Sequence, residues 1–186
     1  MNFRQLNDIH THQEGRSDAL LSLMPGRDPI PAATPFSLSL HPWFLDEGSI
    51  GLFREALCRF QDHPLLMGIG ESGLDNRCQT PLPLQHEAFL LSLQAARDLR
   101  LPLIIHCVGL WGEMQQDVRQ VWGARGAQAA YDADSPLIIH GFRKGPQLAR
   151  QLLDAGFCLS LGQHFHPEIA DLIPAERLFH ETDEAR

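Results

Sequence analysis

The stretch Asp8-Ile9-His10-Thr11-His12 is the part of the sequence from which both the fold and the site are predicted. It ends a short apolar segment, which is typical of a β-strand. Residues two apart in a strand point to the same face, so Asp8, His10 and His12 are predicted to share one face. Two imidazoles side by side on a rigid strand form half of a metal site. The pair alone is weak evidence, so the other ligands have to come from later strands.

Composition indicates one soluble globular domain over residues 1–186, with 44% hydrophobic and 20% charged residues. We find no signal peptide and no apolar run of membrane-spanning length, which predicts a cytoplasmic protein with no membrane partner. The net charge of −8 argues against a broad basic surface for nucleic acid. It does not exclude a nucleic-acid substrate, because two divalent cations would add about four positive charges locally. The four cysteines form no C-x-x-C pair, and we interpret them as reduced structural residues.

Short apolar runs alternate with amphipathic segments along the chain, a pattern that predicts βα units and a parallel sheet. The candidate strands are Gln5–His10, Asp18–Met24, Phe36–Leu40, Leu65–Gly70, Leu103–Cys107, Leu137–His140, Phe157–Leu161 and Arg177–Glu181. The candidate helices are Ile50–Phe60, Leu84–Leu99, Gly112–Gly123, Pro146–Ala155 and Pro167–Leu172. Eight strands favour a compact α/β (β/α)8 TIM barrel, although 186 residues fall below the usual ~200–250. Because the chain ends at Arg186, we expect the last helix to be absent or truncated, in either a lean barrel or an incomplete product.

Polar residues follow most of these strands at their carboxyl ends, where a barrel carries its functional site. The candidate ligands are His10, His12, Glu71, His106, His140 and Asp183. Nitrogen and carboxylate donors without thiolate suit Zn, Mn, Mg, Fe or Ni, which the sequence does not distinguish. Six ligands exceed the need of one tetrahedral ion, so we expect two divalent metal ions about 3.5–4 Å apart, bridged by a carboxylate.

The sequence resembles the TatD family of metal-dependent hydrolases, within the amidohydrolase superfamily. The matching motifs are DIHTH, SLHPW, GIGESGLD, PLIIHC, IIHGF and HETD, which occur in family order between residues 7 and 184. HPW in place of HPH, and HGF in place of HCF, resemble the short bacterial branch. The resemblance implies that His10, His12 and Asp183 bind one metal, that Glu71 bridges both, and that His106 and His140 complete the second. It also implies hydrolysis of a phosphodiester, with DNA as the usual substrate.

The predicted reaction gives a role to each group around the site. A metal-bound hydroxide would attack the ester, and we expect Asp183 and Glu71 to be the catalytic carboxylates, with Asp183 orienting the water or accepting its proton. The candidate substrate contacts are His41, Arg77, Arg143 and Lys144. His164 is a further candidate at the same face of the barrel. Glu181 is expected to hold a ligand histidine. The expected substrate is a phosphoester, such as a DNA end or single strand, and no stable protein partner is predicted.

Two positions depart from the larger members of the family. Val108 stands where they commonly carry an arginine, and Trp43 stands where a second histidine is usual. Both changes remove polar substrate contacts. Two alternatives therefore stay open: an enzyme of the same superfamily acting on an amide, lactone or small phosphoester, and a non-catalytic metal-binding relative. The PHP phosphoesterases rank lower, because the end of the chain lacks their closing D-x-H pair.

Overall fold

The computed structural model describes residues 3–183 and contains a single sheet of eight parallel strands in sequence order. The strands are β1 (Asp8–Thr11), β2 (Ala19–Leu23), β3 (Phe36–Leu40), β4 (Leu66–Asp75), β5 (Leu103–Val108), β6 (Leu137–Ile139), β7 (Cys158–Leu161) and β8 (Leu178–His180). Every strand from β1 to β7 pairs in parallel with the next one along the chain. The predicted (β/α)8 barrel is therefore confirmed.

Helices connect the later strands, as a parallel sheet requires. They are α1 (Ser49–Phe60), α2 (Leu82–Leu99), α3 (Trp111–Trp122), α4 (Ala127–Asp132), α5 (Pro146–Asp154) and α6 (Pro167–Ala170). Helix α4 was not predicted, because its six residues are too few to show a helical period. Within residues 3–183, no helix is both long and apolar enough to cross a lipid bilayer.

Strand β4 differs most from its predicted bounds, since it continues five residues beyond Gly70 to Asp75. The glycines of this segment resemble a turn in the sequence, but here they let β4 lie close against β5. A Cβ atom at Gly70 would be 2.3 Å from the carbonyl oxygen of Ile104, and one at Gly73 would be 1.9 Å from that of His106. Glu71 therefore lies inside a strand rather than at its end.

The ends of the barrel also differ from the sequence prediction. Residues Phe3–Gln5 form a 3-10 turn, so β1 begins three residues later than expected. Strand β8 is shorter than predicted at both ends. The predicted truncation of the last helix concerns residues 184–186, which lie outside the described part of the chain.

Apolar side chains fill the barrel beneath its carboxyl end. One buried cluster takes a residue from seven of the strands: Ile9, Leu20, Met67, Ile104, Ile138, Cys158 and Phe179. This is the interior layer expected of a barrel of this size. On β5 and β6 the histidines His106 and His140 follow two residues after members of this layer, so they point to the same side. The site therefore lies directly above a layer of buried apolar side chains.

The edge between β8 and β1 is closed by side chains centred on Asp8, which is 2% exposed. Its Oδ1 accepts the backbone N–H groups of His10 and Thr182, both at 3.2 Å. Its Oδ2 accepts the Thr182 hydroxyl at 2.5 Å and the Arg16 guanidinium at 2.7 Å. We call these contacts the Asp8 seam. The seam fixes the residue before Asp183 against the strand that carries His10.

Candidate metal centre

The six candidate ligands meet at the carboxyl end of the barrel. Donor atoms of His, Asp and Glu side chains converge there in four overlapping groups. These groups are His10–Glu71–His140, His10–His12–Asp183, His41–Glu71–His106 and His140–Glu181–Asp183, and within each the donor atoms lie within 4.8 Å of one another. Strands distant in sequence thus bring together nitrogen and oxygen donors of the type that binds divalent cations.

Glu71 lies at the centre of these groups and is 4% exposed. Its Oε1 atom lies 2.7 Å from His106 Nδ1, 2.7 Å from His140 Nε2 and 3.1 Å from His41 Nε2. Its Oε2 atom lies 3.2 Å from His10 Nε2. One carboxylate therefore contacts four imidazoles, which is the arrangement expected of a bridging ligand.

The second carboxylate of the site is Asp183, which lies beside the histidines of β1. Its Oδ1 atom is 3.6 Å from His10 Nε2 and 3.8 Å from His12 Nε2. The side chains of His12 and Asp183 are 23% and 25% exposed, whereas that of His10 is fully buried. This side of the site is therefore the one that is open to solvent.

Electrostatic coupling shifts the pKa values of Glu71 and His140 in opposite directions. Burial raises the pKa of Glu71, but the charges of His140, His10 and His41 lower it more, so this pKa lies well below its usual range. Burial lowers the pKa of His140, but Glu71 and Glu181 raise it well above its usual value. Glu181 Oε1 lies 3.5 Å from His140 Nδ1, the position expected for a carboxylate that holds a ligand histidine.

The residues of the site fit divalent cations. Both ring nitrogens of the buried His10 lack a hydrogen-bond partner within the described residues, although Nε2 lies close to the Glu71 carboxylate. Buried polar nitrogens normally have a partner. A metal cation, which accepts a lone pair from an imidazole nitrogen, would supply the missing partner of His10 Nε2. No cysteine belongs to the four groups, and the imidazole and carboxylate donors suit a catalytic ion better than a structural zinc.

Asp75 contacts the site, although the sequence analysis gave it no role. It is fully buried at the end of β4, and its Oδ2 accepts N–H groups from His106 Nε2 at 2.9 Å and Trp43 Nε1 at 2.8 Å. The backbone N–H of Arg77 donates to Oδ1 at 2.8 Å. Burial raises the pKa of Asp75, but these hydrogen bonds lower it well below its usual range. One pattern could have identified it. If β4 is extended to Asp75, Glu71, Gly73 and Asp75 lie two residues apart and share one face of the strand.

Trp43 was expected only to remove a polar contact, but its indole N–H helps to hold Asp75. Asp75 in turn holds the Nε2 side of His106, which leaves Nδ1 directed at Glu71. The tryptophan at the position where histidine is usual therefore belongs to the support of the site.

The predicted substrate contacts lie in two kinds of position. His41 belongs to the groups around Glu71, and its Nδ1 also accepts the Trp43 backbone N–H at 3.2 Å. Arg77, Arg143 and Lys144 line one cleft of about 330 Å³ that also contains Asp183. His164 lines a separate cleft, which it shares with Arg143 and Asp183. Their roles toward a substrate stay predictions.

Comparison with known proteins identifies relatives that match most of the chain. The family described as TatD related DNase matches residues 28–184, a range that begins after His10 and His12. An uncharacterized metal-dependent hydrolase TatD of Mycobacterium tuberculosis is 30% identical over 161 residues, which cover 79% of this chain and 56% of that protein. The 3'-5' ssDNA/RNA exonuclease TatD of a Rahnella species is 32% identical over 130 residues, or 64% of this chain and 46% of that protein.

Solved structures show the same fold. A hydrolase TatD family protein from Entamoeba histolytica superposes with a TM-score of 0.69 at 16% identity, covering 95% of this chain and 73% of that one. This chain spans about half the length of the curated relatives that it matches. The family match covers most of the sequence and includes Glu71, His106, His140 and Asp183. The chain therefore belongs to the TatD-related DNase family.

Proposed function

We propose that this chain is a metal-dependent hydrolase of phosphoester bonds that acts on nucleic-acid ends or single strands. The contacts of Glu71 carry the proposal. Its buried carboxylate touches imidazoles that follow or belong to four strands, at the mouth of a barrel. A structural ion needs a closed shell of ligands, whereas this cluster opens to solvent beside Asp183.

We propose that the site binds two divalent cations. His10, His12 and Asp183 would hold one, His106 and His140 the other, with Glu71 between them. Bound there, the ions would polarise the phosphoryl group and lower the pKa of a bound water to near neutrality.

The protein groups around the ions would position the substrate and move the proton. Asp183 lies at the exposed side of the cluster, where its carboxylate can accept a proton from the attacking water. The cleft lined by Arg77, Arg143 and Lys144 adjoins Asp183 and offers three cations to phosphate oxygens. This local positive charge contrasts with the net charge of −8 of the whole chain. The name of the Rahnella relative, a single-strand exonuclease, agrees with such a substrate.

Metal titration of the chelated protein, followed by assays of a small phosphodiester and a single-stranded oligonucleotide, tests the proposal. We expect metal-dependent hydrolysis, and a loss of at least about 100-fold in Glu71→Gln, because even residues that only support a ligand cost 10–100-fold. Glu113→Gln, which changes an exposed carboxylate on α3, is the matched control and should keep full activity.

Three outcomes would contradict the proposal. Metal uptake without hydrolysis of any ester would favour a non-catalytic relative. Hydrolysis of an amide or a lactone assayed in parallel, without hydrolysis of the phosphodiesters, would favour another enzyme of the superfamily. The absence of metal uptake would exclude all of these functions.

A further inference from the structure

Two aromatic side chains are exposed at the mouth of the metal centre. Trp43 and Phe44 are 50% and 48% exposed, the highest values among large apolar side chains of residues 3–183. They belong to the 3-10 turn Pro42–Phe44 between β3 and α1. Both line a cavity of about 560 Å³ whose wall also contains Glu71 and His12. Exposed apolar surface beside a site often marks a place where a ligand binds.

Trp43 is held in a fixed orientation although half of its surface is exposed. Its indole Nε1 donates to the buried carboxylate of Asp75 at 2.8 Å, and its backbone N–H donates to His41 Nδ1 at 3.2 Å. The preceding residue, Pro42, restricts the backbone further. A ring fixed at its edge loses little conformational entropy when a flat ligand stacks on its face.

Cations lie beside both rings. Arg77 contacts the same carboxylate as Trp43, with its Nε 3.4 Å from Asp75 Oδ1, and its side chain is 63% exposed. The guanidinium carbon of Arg27 lies 4.4 Å from the centre of the Phe44 ring, in the same cavity. Arg27 therefore makes a cation–π contact with Phe44, whereas no such contact is found for Trp43 within the described residues. An open aromatic face next to an exposed guanidinium matches the two parts of a nucleotide, the base and the phosphate.

We propose that Trp43 is a stacking surface for an unpaired nucleobase, with Arg77 on the neighbouring phosphate. The proposal rests on the proposed function for the phosphoester that reaches Glu71. A base inside a duplex is already stacked on both faces and cannot lie on the ring, so Trp43 would favour unpaired nucleotides over those in the interior of a duplex. A phosphoester without a base would use the cations but not the ring.

A matched pair of ligands isolates the stacking contribution. We would measure the binding of adenosine 5′-monophosphate and ribose 5-phosphate to the metal-loaded protein, since the second ligand has a hydroxyl in place of the base. Base–aromatic stacking contributes about 1–3 kcal/mol, so the wild type should bind the nucleotide roughly 5- to 150-fold more tightly. The ratio of the two dissociation constants cancels damage that affects phosphate binding alone, including any loss of support at Asp75.

Two variants of the ring then separate stacking from the hydrogen bond to Asp75. Trp43→Phe keeps an aromatic face but has no N–H, so the ratio should stay within about threefold of the wild-type ratio. Trp43→Leu removes the face, and its ratio should approach one. Because Trp111 lines the same cleft as Arg77, emission is measured with Trp111 replaced: nucleotide binding should quench the tryptophan emission of Trp111→Phe, but not that of the double variant Trp43→Phe/Trp111→Phe.

A wild-type ratio near one, or a preference that survives in Trp43→Leu, would overturn the stacking role. Equal weakening of both ligands in Trp43→Leu would also overturn it and leave Trp43 only as support for Asp75. Absence of hydrolysis in the phosphodiester assay overturns the proposed function instead, so the two failures are distinguishable.

Discussion

Replacing Asp8 by alanine should destabilise the barrel through the Asp8 seam rather than through the sheet. The buried carboxylate accepts four hydrogen bonds, two from Thr182 and one each from His10 and Arg16. The Arg16 side chain is 30% exposed and regains water, but the buried N–H of His10 does not. Removing one partner of a buried charged pair costs about 3–5 kcal/mol, and we expect Asp8→Ala to lie in this range.

Urea unfolding of the wild type and of Asp8→Ala measures this difference in free energy, provided that the two proteins show the same slope m. Asp18→Ala is the matched control, because Asp18 also pairs with Arg16 but its side chain is 46% exposed. A solvent-exposed ion pair of this kind contributes little to the free energy of unfolding. A loss below about 1 kcal/mol in Asp8→Ala, or an equal loss in the control, would refute the reasoning that the carboxylate closes the barrel.

Three further changes have defined outcomes. Gly73→Ala should cost about 3 kcal/mol in urea unfolding, because the new methyl group meets β5 backbone, whereas Gly51→Ala, with open space around it on α1, should gain up to about 1 kcal/mol. The lowered pKa of Asp75 stabilises the folded protein above the ordinary value of 3.8, so the stability gap between wild type and Asp75→Asn should narrow as the pH falls below about 4. Burial raises the pKa of Cys107 to about 12, so at pH 8 iodoacetamide should label the exposed Cys58 but reach Cys107 only after unfolding, as mass spectrometry would report.

Residues with strong periodic patterns could be predicted from the sequence. Apolar runs such as Leu103–Cys107 and Leu137–His140 mark strands, because both faces of a barrel strand are buried and the run is nearly continuous. In this fold, a polar residue that directly follows such a run lies at the carboxyl end of the barrel. The convergence of His106 and His140 on one side of the sheet follows from that rule.

Features that depend on close approach between strands could not be predicted. The glycines around Glu71 are typical of a turn, and only the packing of β4 on β5 shows that they belong to a strand. Asp75 stood in a recognised motif, but its contact with Trp43 joins residues 32 apart in sequence. No local pattern encodes such a pair, because each partner would suit a solvated loop equally well.

The Asp8 seam joins the first strand of the barrel to the residues that follow the last one. Two of its four hydrogen bonds join residues 174 positions apart, so closing the barrel requires ordering almost the whole described chain. Contacts between residues so far apart in sequence form slowly, because the chain loses the entropy of the closed loop before the contact contributes any stabilisation. His10 and Asp183 stand on opposite sides of the seam, so a chain still emerging from the ribosome has the first ligands but not the last. We therefore expect the complete set of donors, and the hydrolysis it would support, to appear late in folding, when the Asp8 seam forms.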